Sequence, residues 1–101
     1  MADFEWDEDK NQKNIKKHKV GFNQVKSVFD DEHSIEFEAD GKAEYRVVRI
    51  GKTATKLILF VVYTMRGLVV RLISARQANR KERNLYIEKK LKKQDNEGID
   101  S

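Results

Sequence analysis

The hydrophobic positions change period twice along the chain. Phe4-Glu5-Trp6 is a short candidate edge strand, and Asp7 is a suitable N-cap for a helix from Glu8 to His18. Glu8 and Asp9 fall in its first turn and Lys16, Lys17 and His18 in its last, as the helix dipole favours. Its apolar face is thin, with only Ile15 among Asn11, Asn14 and His18. Phe22, Val25, Val28 and Phe29 then mark a better-patterned second helix that ends at Asp30-Asp31. From Ser34 the period becomes two: Ile35, Phe37 and Ala39 alternate with Glu36, Glu38 and Asp40. Asp40-Gly41-Lys42 signals a hairpin and Ala43 to Gly51 a second strand. "KLILFVVYT", residues 56–64, is apolar on both sides and predicts a central strand. Arg66-Gly67 is a tight turn, and Leu68 to Arg76 returns as the last strand. Asn79 and Glu82 have capping-box spacing for a final helix that runs to about Lys93. The expected fold is α+β: two N-terminal helices, a four-stranded antiparallel sheet with a short extra N-terminal strand, and a C-terminal helix. Helices on one face of the sheet would leave the other face free. Residues 1–93 read as one domain and residues 94–101 as a flexible acidic tail.

The last strand holds an anomaly. Strict alternation puts Leu68, Val70, Leu72, Ser74 and Arg76 on one face, and Val69, Arg71, Ile73 and Ala75 on the other. An arginine between Val69 and Ile73 is costly to bury unpaired. Either a carboxylate such as Glu36 or Glu38 meets Arg71, or Arg71 faces a groove for anions. Arg76 lies where strand gives way to helix, so its guanidinium and free helix N–H groups could converge on one phosphate, or it could be a solvated strand end. Glu82 is explained by capping alone, with a catalytic role as the alternative.

Charge sharpens this picture. The chain of 101 residues carries +4 overall, but residues 1–41 carry −5, residues 42–93 carry +12 and the last eight −3. The central segment would attract a polyanion such as nucleic acid, unless it is simply a solvated cationic surface. Cysteine is absent, which excludes disulfides and thiolate metal sites and suits a reducing cytoplasm. The acidic N-terminus is no secretory signal, and the longest apolar run, Leu57 to Val62, is too short to span a membrane. His18 and His33 belong to no metal-binding framework, so neither metal nor cofactor is expected, and His33 reads as a surface turn residue. No phosphate-binding loop, dinucleotide fingerprint or nucleophile elbow is present.

"FEWDEDKNQKNIKKH", "VFDD", "LILFVVYT" and above all "RLISARQANRKERNLY" resemble the BrnT toxins of bacterial type II toxin–antitoxin systems, from about Phe4 to Tyr86. The resemblance implies a RelE-like fold and a ribonuclease that arrests growth by cutting RNA. It also implies a BrnA-type antitoxin partner, through which the complex would meet operator DNA. Carried over residue by residue, Arg71 and Arg76 would clamp phosphate and transition-state charge. Glu82, Tyr86 and His18 would be proton-transfer candidates, with a helix-end role as the alternative for His18. Arg66, Ser74, Lys81, Arg83 and Trp6 would contact RNA, Trp6 having core packing as its alternative. Cleavage that uses the neighbouring 2′-hydroxyl as nucleophile needs no metal. The sequence departs from the family pattern at Met65, where many members have Glu, and at Lys19, where many have Gly. If the Glu is catalytic, Met65 attenuates the enzyme. A non-catalytic basic RNA- or DNA-binding module and a pure antitoxin-interaction subunit are the competing readings.

Overall fold

The computed structural model describes residues 3–39 and 45–99. The chain order is β1 (Asp3–Glu5), α1 (Glu8–His18), α2 (Phe22–Val25) continuing into a 3-10 helix (Lys26–Asp30), β2 (Ile35–Glu38), β3 (Val47–Lys52), β4 (Ile58–Arg66), β5 (Val69–Gln77) and α3 (Arg80–Ile99). The strands form one five-stranded sheet in the order β1-β5-β4-β3-β2. β2 to β5 pair antiparallel, whereas β1 lies parallel to β5 with Phe4 opposite Val70 and Glu5 opposite Arg71. The sheet is therefore mixed, and the apolar β4 is its central strand, as its two-sided hydrophobicity predicts. The hairpin expected at Asp40-Gly41-Lys42 lies outside the described residues.

One face of the sheet carries the main core. Phe22, Val25 and Val28 are fully buried against Val47, Leu59, Val61, Tyr63, Val70, Leu72 and Ala75, with Phe4, Trp6 and Phe29 packed at the margin. Each large apolar side chain among them contributes about 1.5–3 kcal/mol on removal from water. Gly51 is required where the 3-10 helix crosses β3: a Cβ there would stand 2.8 Å from both Ser34 Cβ and Val28 Cγ1. Gly67 adopts φ +61° in the β4–β5 turn, the conformation for which glycine is suited.

Helix α1 docks by amides rather than by apolar side chains. Its buried residues are Asn11 and Asn14, while Ile15 is exposed. Asn14 Nδ2 donates to Val20 O (2.8 Å) and Ala75 O (2.7 Å), and its Oδ1 accepts from Ala75 N (3.1 Å). Asn11 Oδ1 accepts from Phe22 N at 2.8 Å and so fixes the start of α2. The helix ends at Lys19, which has φ +61° and donates its N–H to Ile15 O.

The second face is not free, contrary to the expectation from helix order. α3 lies on it: Tyr86 is buried with Val48, Ile50 and Ala78, beside Phe60, Val62 and Ile35. The helix also runs on to Ile99 instead of stopping near Lys93. Its apolar stripe is too narrow to betray from sequence which face it covers. Tyr86 Oη donates to Asp31 Oδ2 at 2.7 Å, and the same carboxylate accepts from Lys52 N and His33 N. Burial opposes ionisation of Asp31, but these hydrogen bonds outweigh it and hold its carboxyl below the usual range. Burial, then the bond to Asp31, pushes the Tyr86 hydroxyl well above its ordinary pKa. His33 is half-buried in this turn, not a surface residue.

Candidate active site

The face assignment of β5 changes at a β-bulge. Tyr63 pairs with Leu72 and Val62 with Ser74, so Ile73 is an extra residue without a partner on β4. Before it, Val70 and Leu72 point into the main core; after it, Ala75 does. The alternation slips by one, and Arg71, Ser74 and Arg76 come to the same face of the sheet, the one that α3 partly covers. Strict period-two alternation separates Arg71 from Arg76, and the bulge brings them together. Nothing in "LISA" announces it, since that stretch contains neither Gly nor Pro.

Each arginine meets a carboxylate. The partner of Arg71 is neither Glu36 nor Glu38 but Glu5, its register neighbour on β1: Arg71 Nη1 stands 2.5 Å from Glu5 Oε2. Arg66 Nη1 approaches the same oxygen at 4.0 Å. Glu36 belongs to the other face, where it pairs with Arg49 and accepts from Tyr63 Oη at 2.6 Å. Burial and the bond to Glu36 push the Tyr63 hydroxyl up to about 12.

Arg76 forms a two-pronged pair with Glu82, Nη1 to Oε1 at 2.8 Å and Nη2 to Oε2 at 2.9 Å. Its guanidinium lies over the Phe60 ring, 4.2 Å from the centroid. Glu82 also completes the capping box: Asn79 N donates to Glu82 Oε1 and Glu82 N to Asn79 Oδ1, both at 2.8 Å. Capping and pairing therefore coexist in one side chain. The Arg76 hydrogen bonds lower the Glu82 pKa against the opposing effect of burial, and Glu82 in turn raises that of Arg76. The result is a guanidinium held over an aromatic ring beside the N-terminus of α3, with Arg71 and Ser74 on the same strand face.

The remaining sequence-derived residues divide by location. Lys81 and Arg83 are exposed on the first turns of α3, and Arg83 Nη1 reaches Ala78 O at 3.5 Å. Tyr86 is 1% exposed, with its hydroxyl committed to Asp31. His18 ends α1, the helix packed on β5 through Asn14, and makes no hydrogen bond or ion pair with Arg71, Arg76 or Glu82. Trp6 packs on the main core, edge-on to Phe22, with Lys26 Nζ 5.3 Å from its ring centre. Met65 pairs with Val70 and so shares the core side of the sheet rather than the Arg71 side. Glu5 and Phe60, which the sequence reading passed over, are the groups that hold the two arginines. The alternation Phe4-in, Glu5-out was the available signal for the first. Among the described residues, no three or more His, Asp or Glu side chains are grouped to hold a metal ion, and no helix is long and apolar enough to cross a membrane.

A family model described as the ribonuclease toxin BrnT of type II toxin–antitoxin systems matches residues 6–82. The match takes in Arg71, Ser74, Arg76 and Glu82 but ends before Tyr86. Among solved structures, the crystal structure of the Brucella abortus ribonuclease toxin BrnT is similar, at 26% identity and a TM-score of 0.60, over 79% of this chain and 100% of that one. No curated protein matches the chain.

Proposed function

The chain belongs to the BrnT family of ribonuclease toxins of type II toxin–antitoxin systems, and from that premise we propose that it cuts RNA without a metal ion at the Arg71–Arg76 face. The observation that carries this reading is the bulge at Ile73, which gathers Arg71, Ser74 and Arg76 beside the capped start of α3. A phosphate entering there replaces Glu82 as the ligand of Arg76 and draws on Arg71. Both guanidinium groups then stabilise the charge that grows on the phosphoryl oxygens. Once released from Arg76, the Glu82 carboxylate regains proton affinity, which the present pairing suppresses. It accepts the proton of the 2′-hydroxyl as the 2′-oxygen attacks phosphorus. The bond from phosphorus to the 5′-oxygen breaks, that oxygen takes a proton from water, and a 2′,3′-cyclic phosphate remains. Ser74, Lys81, Arg83 and Arg66 hold the flanking strand. Tyr86, His18 and Trp6 serve the fold: the first is buried on Asp31, Trp6 packs on the main core, and His18 ends the helix that Asn14 ties to β5.

On the same footing, we read the fold as RelE-like, the protein as cytoplasmic, and its inhibitor as a BrnA-type antitoxin that brings the complex to operator DNA. Residues 1–93 are taken as the toxin domain. The orientation of Met65 away from Arg71 favours an intact site over an attenuated one. Purified protein in EDTA should cut RNA to fragments ending in cyclic phosphate and 5′-hydroxyl, and a single 2′-deoxy substitution at the cleaved linkage should block the cut. Loss of cutting in EDTA, or products ending in 3′-hydroxyl, would overturn the mechanism.

A further inference from the structure

Tyr86 seats the start of α3 on the sheet, but the helix and the strands do not close completely beside that contact. They leave a groove of about 790 Å3 lined by Phe37, Ile50 and Phe60 from the strands and by Arg80, Leu85 and Glu88 among the helix residues. Phe37 on the edge strand is 41% exposed and Leu85 on the helix 39%, so two large apolar side chains of the lining stay open to solvent. The lining suits apolar side chains better than a run of bases. Phe37 is the one ring left open for stacking: Ile50 and Leu85 are aliphatic, and the Arg76 guanidinium already lies over the Phe60 ring. Apolar side chains of a protein segment fit such a floor.

The rim selects the sign of that segment. Arg80 and Lys81 line the groove, and the stretch 42–93 to which α3's start belongs carries +12. Of the two acidic lining residues, Glu82 is held by Arg76, and Glu88 stands 3.4 Å from Lys92. An incoming carboxylate therefore meets Arg80 and Lys81, while Glu82 and Glu88 each already stand beside a cation. Glu82 lines the groove and also holds Arg76, so an occupant of the groove lies beside the Arg76 site.

We propose that this groove is the docking site of the antitoxin, taking a short amphipathic segment that sets one or two large apolar side chains between Phe37 and Leu85 and places Asp or Glu against Arg80 and Lys81. The proposal rests on the toxin reading above, and it adds where and by what chemistry the inhibitor binds. Occupation blocks the approach of RNA to Arg76 without any rearrangement of the toxin.

The test uses the full chain and the protein encoded beside it, co-expressed and then titrated by calorimetry. Leu85→Glu and Phe37→Glu are tolerable by the fold because both sites are over a third exposed. Each should weaken the complex at least tenfold, as should Arg80→Glu, whereas Leu68→Glu at the remote β4–β5 turn should leave it within twofold. RNA cutting by Leu85→Glu and Phe37→Glu alone should stay within threefold of the parent chain, read separately. Binding unchanged by the groove variants, or no complex with the neighbouring product, overturns the proposal. So does an equal loss of RNA cutting and binding, which would assign the groove to RNA, or a self-associated chain that the same variants dissociate. An inert chain that still binds through the groove would refute the nuclease reading while leaving the docking surface in place.

Discussion

Arg76→Ala separates chemistry from stability at the proposed site. The substitution removes a two-pronged pair with Glu82, at 2.8 and 2.9 Å, and a guanidinium 4.2 Å from the Phe60 ring centre. The Arg76 side chain is 37% exposed, so solvent discounts the pair to about 1 kcal/mol. The aromatic contact adds about 0.5–1 kcal/mol. A total near 2 kcal/mol would lower the unfolding midpoint of a chain this size by roughly 10 °C. The activity loss should be far larger. Removing one preorganised donor from a developing anion costs about 100- to 1000-fold in rate, or about 3–4 kcal/mol. Single-turnover cleavage of a labelled RNA, run well below the midpoint of the variant, measures this loss free of unfolding. Asn79→Ala is the control: it loses about 1 kcal/mol with the helix cap but keeps Arg76. Cutting by Arg76→Ala within threefold of the parent, with the fold intact, would refute the assignment.

Three further outcomes follow from the geometry. Lys19→Gly relieves a left-handed lysine at φ +61° and should raise stability by about 0.5–1 kcal/mol, read by urea unfolding, because the N–H bond to Ile15 O is kept. A loss of stability would mean that the lysine side chain matters more than its backbone. Asn14→Ala strands the N–H and C=O of Ala75 together with Val20 O, and should cost about 2–4 kcal/mol; a cost under about 1 kcal/mol would show that the amide is dispensable. Tyr86→Phe should cost about 1–2 kcal/mol near neutral pH by losing the bond to Asp31. Asp31 has a folded pKa below its unfolded one, so its contribution is present above about pH 4 and fades as pH falls through the folded value. The difference between parent and Tyr86→Phe should therefore shrink toward acid pH, and a constant difference would exclude Asp31 as the coupled group.

The sequence made legible what hydrophobic spacing encodes. The apolar face of α2, the central place of β4 and the capping box of α3 are direct readings of period and cap chemistry. Three features escaped because their signals are not hydrophobic. Helix α1 buries asparagines, which any apolar count scores as surface. The bulge at Ile73 is an offset in strand pairing and leaves no mark in composition, yet it decides which cations share a face. The covering of the second sheet face by α3 turns on Tyr86 reaching Asp31, 55 positions earlier, a contact that local pattern cannot foresee. The site's cations stand out by charge clustering, but their carboxylate partners required the parallel pairing of β1.

The amide of Asn14 has one more consequence, for the behaviour of the protein in crowded solution. Strand β1 covers β5 only from Val69 to Arg71, which leaves a stretch of sheet edge beyond it. Asn14 answers the N–H and C=O of Ala75 there, much as one residue of a neighbouring strand would. A second molecule thus finds the backbone groups of Ala75 already occupied, without the chain having to supply another strand. At the opposite edge, β2 is only four residues long and ends at the exposed Glu38, which gives a neighbouring strand little length to pair with. Both margins of the sheet are thus short of free pairing groups, through an amide on one side and a short, charged strand end on the other.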